Sequence, residues 1–283
     1  LAQANVALAD NILGFDEASS SKQRALEAQL DANIDAKEMD DWLRLLSTMP
    51  HHAGSLAGKE NAEFIAGLLE SWGYEVEIAE YQILLPTPKT RELELLSPTQ
   101  YTATLTEDSL AEDASTSRRE NLLPPYNAFS IDGEVEAELV FINYGRPEDH
   151  EVLERYGIDI SGKIAIAKYG KSWRGIKPKL AGEKGAIGTL IYSDPADDGY
   201  GAGDVYPKGP FKHESGVQRG SVMDMPTYPG DALTPGQGAT RNAKRLNLGD
   251  APTITKIPVL PISHRDALPL LAAMDGAVVP DEW

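Results

Sequence analysis

Apolar and polar positions repeat with two different periods along this 283-residue chain, and the change of period marks its organisation. Over the first fifty residues the repeat is helical. Residues 23–32 and 39–49 read as helices, the second with Met39, Trp42, Leu43 and Leu46 on one face. The run PHHAGSLAGKE then breaks the pattern. Residues 59–72 predict the clearest helix: Phe64, Ile65, Leu68, Leu69 and Trp72 make one apolar stripe, and Gly73 stands where a helix-ending glycine belongs. YEVEIAEY (74–81) alternates as a strand does, and Pro86 and Pro88 stop it.

Beyond Pro88 the pattern becomes one of short strands: RELELLS, YTATLTE, AELVFINY (137–144), KIAIAKY (163–169) and GTLIYS (188–193). Helices are expected at 148–156 and 176–184, with Pro178 confined to the first turn of the second. The polar run SLAEDASTSRREN (109–121) reads as a surface excursion. Residues 194–256 are rich in Gly, Pro and Asp with little periodicity, too long for an idle connection. A strand in IPVLPIS (257–263) and a helix over 265–274 finish the chain. No internal repeat is present. This mixture predicts an α+β or β/β/α domain rather than a regular doubly wound sheet.

Charge changes that picture by dividing it. Residues 1–150 hold 28 Asp and Glu against 10 Lys and Arg, whereas 151–283 hold 16 of each, for a net charge of −18. Two surfaces of such different character fit two domains, and the acidic one opposes nonspecific nucleic-acid binding. No apolar run approaches the ~20 residues of a membrane helix. The absence of Cys excludes disulfides, thiolate metal sites and Cys nucleophiles. The opening LAQANVALAD has neither Met nor the charged start of a signal peptide, and it reads as a processed end, compatible with an exported or periplasmic protein.

Against that acidic background, KYGKSWRGIKPKLAGEKG (168–185) gathers six Lys or Arg with one Glu. Gly170-Lys171-Ser172 looks like the end of a phosphate loop, but the glycine required five residues earlier is Ala165, inside a strand. DPADDG (194–199) looks like the start of a calcium loop, but its third position is Ala196 and its twelfth Val205. The five histidines (His51, His52, His150, His213 and His264) form no HExxH, and no GxSxG is present. The residues alone therefore show no catalytic apparatus. For the basic run, Lys171, Lys177, Lys179 and Lys184 are expected to form a solvated face.

Several stretches together resemble one family. PHHAGSLAGKENAEFIAGLLESWGYEVEIAEYQILLP, ENLLPPYNAFSIDGEVEAELVFINYGRPEDH, SGKIAIAKYGKSWRGIKPKLAGEKGAIGTLIYSDPADDG, GVQRGS and GDALTPG are similar, in the same order, to the glutamate carboxypeptidase II and transferrin receptor family. The resemblance covers residues 40 to 283 and is most specific from Ser161 to Asp198. It implies a protease-associated (PA) β/β/α domain over 86–283, inserted after the first strand-helix segment of an incomplete α/β zinc-peptidase domain at 35–85. A helical segment, 1–34, precedes both.

The family's metal ligands and general-base Glu follow the inserted domain and have no counterpart here. The resemblance thus implies the N-terminal portion of a co-catalytic zinc exopeptidase, inactive alone, with no cofactor of its own. Two zinc ions, and a calcium ion, belong to the intact parent, which would act on a peptide or acidic dipeptide and could dimerise through its missing C-terminal region. Its PA domain would lid the active site. Arg174, after the aromatic Trp173, corresponds to the Arg that meets the substrate's C-terminal carboxylate. Ser221 stands where the glutamate carboxypeptidases carry an Asn, which puts a glutamate preference in doubt. Thr234 and Gln237, in the turn TPGQ, correspond to backbone ligands of the structural calcium. The alternative within the same resemblance is a non-catalytic, transferrin-receptor-like protein-binding module.

Overall fold

The structure is a computed structural model that describes residues 11–118, 122–281 and 283. The chain divides after His51 into two compact units. In the first, Asp16 caps α1 (Glu17–Ala32) by accepting the Ser19 N–H, and Asp35 caps α2 (Ala36–Leu46) through the N–H groups of Lys37 and Glu38. Both helices start earlier than the apolar pattern suggests, because polar capping residues rather than the first apolar ones set the start.

The second unit opens with α3 (Leu56–Ser71), capped by Ser55, and Gly73 ends it with φ +87°, as expected. Its apolar stripe stays partly open, with Ile65 and Trp72 exposed. The strand expected over 74–81 does not form: among the described residues no neighbour offers it a ladder. Alternation supplies the faces of a strand, while the pairing must come from elsewhere. Tyr74 N–H bonds back to the Leu69 carbonyl, and beyond the run Gln82 N–H reaches the Ala239 carbonyl and Leu84 N–H reaches Asp231.

The core of this unit is a four-stranded parallel sheet in the order β4 (Leu139–Phe141), β5 (Ile164–Lys168), β6 (Gly188–Tyr192) and β8 (Val259–Ile262). The α+β expectation is corrected here: helices and strands mix, but the central sheet is wholly parallel. The cause was visible in AELVFINY, KIAIAKY and GTLIYS, whose apolar runs are nearly continuous, as in strands covered on both faces. The crossovers are α4 (Pro147–Arg155) and α5 (Ile176–Glu183), and α7 (His264–Ala272) follows β8.

Side-chain alternation splits the core in two. Ala165 and Ala167 of β5 pack with Leu153 of α4 and Ala181 of α5. Ile166, between them, faces the other way, toward Ile262, Ala267 and Leu270 of β8 and α7. Along β5 the residues facing the helix pair are small, whereas on the β4 side Val140 and Ile142 fill the same layer. That second layer is completed by a two-stranded antiparallel piece, β1 (Glu94–Leu95) and β2 (Tyr101–Thr102), which brings in Leu93, Leu95 and Ala103. Each fully buried Ile contributes roughly 1.5–3 kcal/mol.

Residues 194–256 carry the four-residue α6 (Pro195–Asp198) and otherwise irregular loops. They are organised by an apolar cluster of their own: Met223, Ala232, Ala251 and Ile254, with Leu84, Phe129 and Leu233 at its edge. Besides two isolated parallel bridges, Gly199 with Lys212 and Val205 with Phe211, β3 (Asn127–Ala128) pairs in parallel with β7 (Gly220–Ser221). Two residues are too few to show as a sequence period, so neither strand was expected. The excursion at 109–121 has a short 3₁₀ turn at Ala114–Ser117, and its residues 119–121 lie outside the described residues.

Candidate functional site

The basic run leaves the carboxyl end of β5, the edge of a parallel sheet where ligands bind in this architecture. Gly170 (φ +104°) and Lys171 (φ +58°) are consecutive left-handed residues that turn the chain sharply out of the strand. The turn is pinned from beneath by Lys177, whose Nζ donates to the carbonyls of Tyr144 (2.6 Å) and Gly170 (3.0 Å). Lys177 is fully buried. Burial pushes its pKa down to about 8, opposed by the nearby Asp149 carboxylate.

The solvated-face expectation is therefore corrected for Lys177 alone; Lys171, Lys179 and Lys184 are exposed. Lys177 is a core residue, placed on the inner side of α5 by the helical repeat. Lys179 pairs with Asp224 at 2.8 Å, and Lys184 pairs with Glu154. Only Lys171 is left exposed without an ion-pair partner among the described residues, over the Tyr144 ring. Positive charge was gathered here largely to tie loops together.

Arg174 is held differently. Its Nε donates to the Arg219 carbonyl at 3.2 Å and its Nη1 to the Ser221 carbonyl at 3.4 Å. The guanidinium carbon lies 5.6 Å from the centroid of the Tyr169 ring. Among the described residues Nη2 makes no hydrogen bond. Nη2 thus keeps both of its N–H groups and Nη1 keeps one, so the outer end of the guanidinium can still donate to an acceptor. Trp173 lies against the start of α5, where a Cβ on Gly175 would come within 2.3 Å of its ring.

Arg174 thus stands beside Ser221, 47 residues away in sequence, and both are half-buried. The Ser221 hydroxyl accepts the Met223 N–H at 3.0 Å, which leaves its proton available to a ligand. Gly220 between them was not singled out by sequence. Its φ is +136°, and a Cβ there would lie 2.3 Å from Arg174 Nη2 and 2.4 Å from Cζ. Gly220→Ala is expected to expel the guanidinium from its place and to cost about 1–3 kcal/mol of stability, read by urea unfolding. The only hint in sequence was a glycine inside VQRGS.

Thr234 and Gln237 lie in a separate turn that closes on itself. The Thr234 carbonyl accepts the Gln237 N–H at 3.3 Å, and Gln237 Nε2 donates to the Lys244 carbonyl. The one carboxylate there, Asp231, is taken by the N–H groups of Leu84 and Leu233 and the Thr234 hydroxyl. Among the described residues no three His, Asp or Glu side chains gather to hold a metal ion.

Residues 135–224, which include the sheet's first three strands and the Arg174 loop, match the PA domain family. Over 260 residues, 90% of the chain, it is 37% identical to a protein named probable glutamate carboxypeptidase from Arthroderma benhamiae, and it covers 35% of that protein. It is 36% identical to the probable glutamate carboxypeptidase VP8 of Zea mays over 85% of the chain and 31% of that protein. To the aminopeptidase NAALADL1 of Rattus norvegicus it is 31% identical over 88% of the chain and 34% of that protein. A solved aminopeptidase from Aneurinibacillus sp. strain AM-1 superposes with a TM-score of 0.40 at 21% identity, over 66% of this chain and 35% of that one. Residues 135–224 thus carry a PA domain. The chain is homologous to proteins named glutamate carboxypeptidase and aminopeptidase NAALADL1, and it spans about a third of the length of these relatives.

Proposed function

We propose that this chain is part of a glutamate carboxypeptidase-like exopeptidase, in which the PA domain lids the active site and presents Arg174 to the C-terminal carboxylate of a peptide. The observation that carries the reading is the clamped guanidinium, oriented by the carbonyls of Arg219 and Ser221 and supported on Tyr169, with Nη2 unspent. An Arg fixed this way has lost its rotamer freedom before any ligand arrives, which favours binding. The Ser221 hydroxyl is placed to donate one further hydrogen bond. A ligand carboxylate there sits against a hard, planar pair of donors that a lysine could not reproduce.

In this reading residues 35–85 are the first segment of the peptidase domain and 86–283 the inserted PA domain. Zinc in the intact protein would polarise the scissile carbonyl and activate water. This chain's residues bind and orient; they do no bond-breaking, and residues 1–283 alone are expected to hydrolyse no peptide.

The test is a titration of the purified chain with N-acetyl-dialanine and with the same dipeptide amidated at its C-terminus. The acid is expected to bind in the millimolar range, and the amide about tenfold more weakly. Arg174→Lys, which keeps the charge and removes the fork, is expected to weaken the acid by about tenfold as well. Equal binding of acid and amide, or an unaffected Arg174→Lys variant, would remove the carboxylate-reading role.

A further inference from the structure

The carbonyls of Arg219 and Ser221 aim Arg174 only if the 217–221 segment is itself held in place. On one flank it is held by β3: Asn127 pairs with Gly220 and Ala128 with Ser221. Buried Asn127 adds a hydrogen bond from Nδ2 to the Gly220 carbonyl at 3.2 Å. That ladder is two residues long and does not reach Arg219 or Val217.

The other flank is held by Glu107, from the chain that follows β2. Its Oε1 accepts the Val217 N–H at 2.8 Å, and its Oε2 lies 2.6 Å from Arg219 Nη1. Arg219 Nη2 in turn reaches the Leu123 carbonyl at 3.3 Å. One carboxylate therefore grips the main chain two residues before the Arg219 carbonyl and also the side chain of Arg219 itself. Two charge-assisted contacts at different points fix both the position and the rotation of the segment between them. The residues beside Glu107 are docked onto the same layer, Asp108 N–H to the Ser215 hydroxyl and the Asp108 carboxylate to Arg265 at 2.8 Å.

We propose that Glu107 is a positioning residue for Arg174: it anchors the 217–221 segment whose carbonyls orient the guanidinium, and it governs carboxylate binding without touching the ligand. The proposal rests on the carboxylate-reading role of Arg174 for its consequence, but not for its geometry. A fork set loose by about an ångström no longer meets both oxygens of a carboxylate.

The experiment uses the full chain with ¹⁵N-labelled arginine, the Arg174 Nε–H signal being identified by its loss in Arg174→Lys. Glu107→Ala is expected to abolish the solvent-exchange protection of that Nε–H and to weaken N-acetyl-dialanine about tenfold. Glu107→Gln keeps an acceptor for Val217 but loses the ion pair to Arg219, and an intermediate loss of both is expected. A role confined to stability would lower the unfolding midpoint of both variants and leave the Nε–H protection and the 25 °C affinity of folded protein unchanged; that result overturns the proposal. If Glu107→Ala does not fold, Glu107→Gln decides by the same two readouts. If the wild-type chain binds no dipeptide, the carboxylate-reading role fails, and the Nε–H protection alone decides the role of Glu107.

Discussion

Replacing Asp266 by Asn is expected to destabilise the chain by about 3 kcal/mol in urea unfolding at pH 7, more than any substitution in the Arg174 loop. Asp266 is fully buried in the first turn of α7. Its carboxylate accepts the Tyr101 hydroxyl (2.8 Å), the Thr104 N–H (2.9 Å) and hydroxyl (3.1 Å), and the Leu105 N–H (3.1 Å). It also sits at the positive end of the α7 dipole. One side chain thereby joins the antiparallel piece that covers the sheet to the helix on the same face. An Asn of the same shape would turn an NH₂ group toward donors and lose the charge.

The pH dependence follows from the same geometry. Burial alone would raise the Asp266 pKa, but the donors of Thr104, Tyr101 and Leu105 outweigh it and hold the carboxyl below its ordinary value. The folded state thus binds this proton less readily than the unfolded state. The stabilisation is complete above the unfolded carboxyl's range, about pH 4, and is lost as pH falls through the lower folded value. Acid unfolding of the wild type should be steeper than that of Asp266→Asn, with the two curves converging at low pH. Parallel curves would show that Asp266 carries little of the linkage.

Lys177→Met is expected to cost about 2–3 kcal/mol, because it leaves the half-buried carbonyls of Tyr144 and Gly170 without this donor. Here pH works in the opposite range. The folded pKa of about 8 lies below the unfolded 10.5, so between those values the unfolded chain holds more of this proton. Wild-type stability therefore carries its full charge-burial cost below about pH 8 and recovers as pH rises toward 10.5. Between pH 7 and pH 9 the wild type should gain about 1 kcal/mol relative to Lys177→Met. Measuring at pH 9 stays well below Tyr101, which is pushed up to about 12 by burial and its bond to Asp266. A constant difference between the two proteins across that window would mean that Lys177 does not change its proton on unfolding.

What the sequence by itself determined about this protein lies in local codes. The long helices, the three apolar strand runs and the helix-ending Gly73 follow from periodicity and caps, which neighbours a few residues apart dictate. The resemblance likewise pointed to Arg174 and Ser221, and the PA-domain match covers both. Tertiary structure decided which lysines face water. Lys171 and Lys177 look alike in the run, yet one is exposed and the other buried, because the β5-to-α5 turn and the helical repeat point them to opposite sides. It also decided that 74–81 would not become a strand, since alternation cannot supply a partner edge. And it alone assembled Glu107, Gly220 and Arg174, whose contacts span tens to more than a hundred residues of chain: a carboxylate, a missing Cβ and a guanidinium acquire a joint meaning only when folding brings them within hydrogen-bonding distance or steric contact.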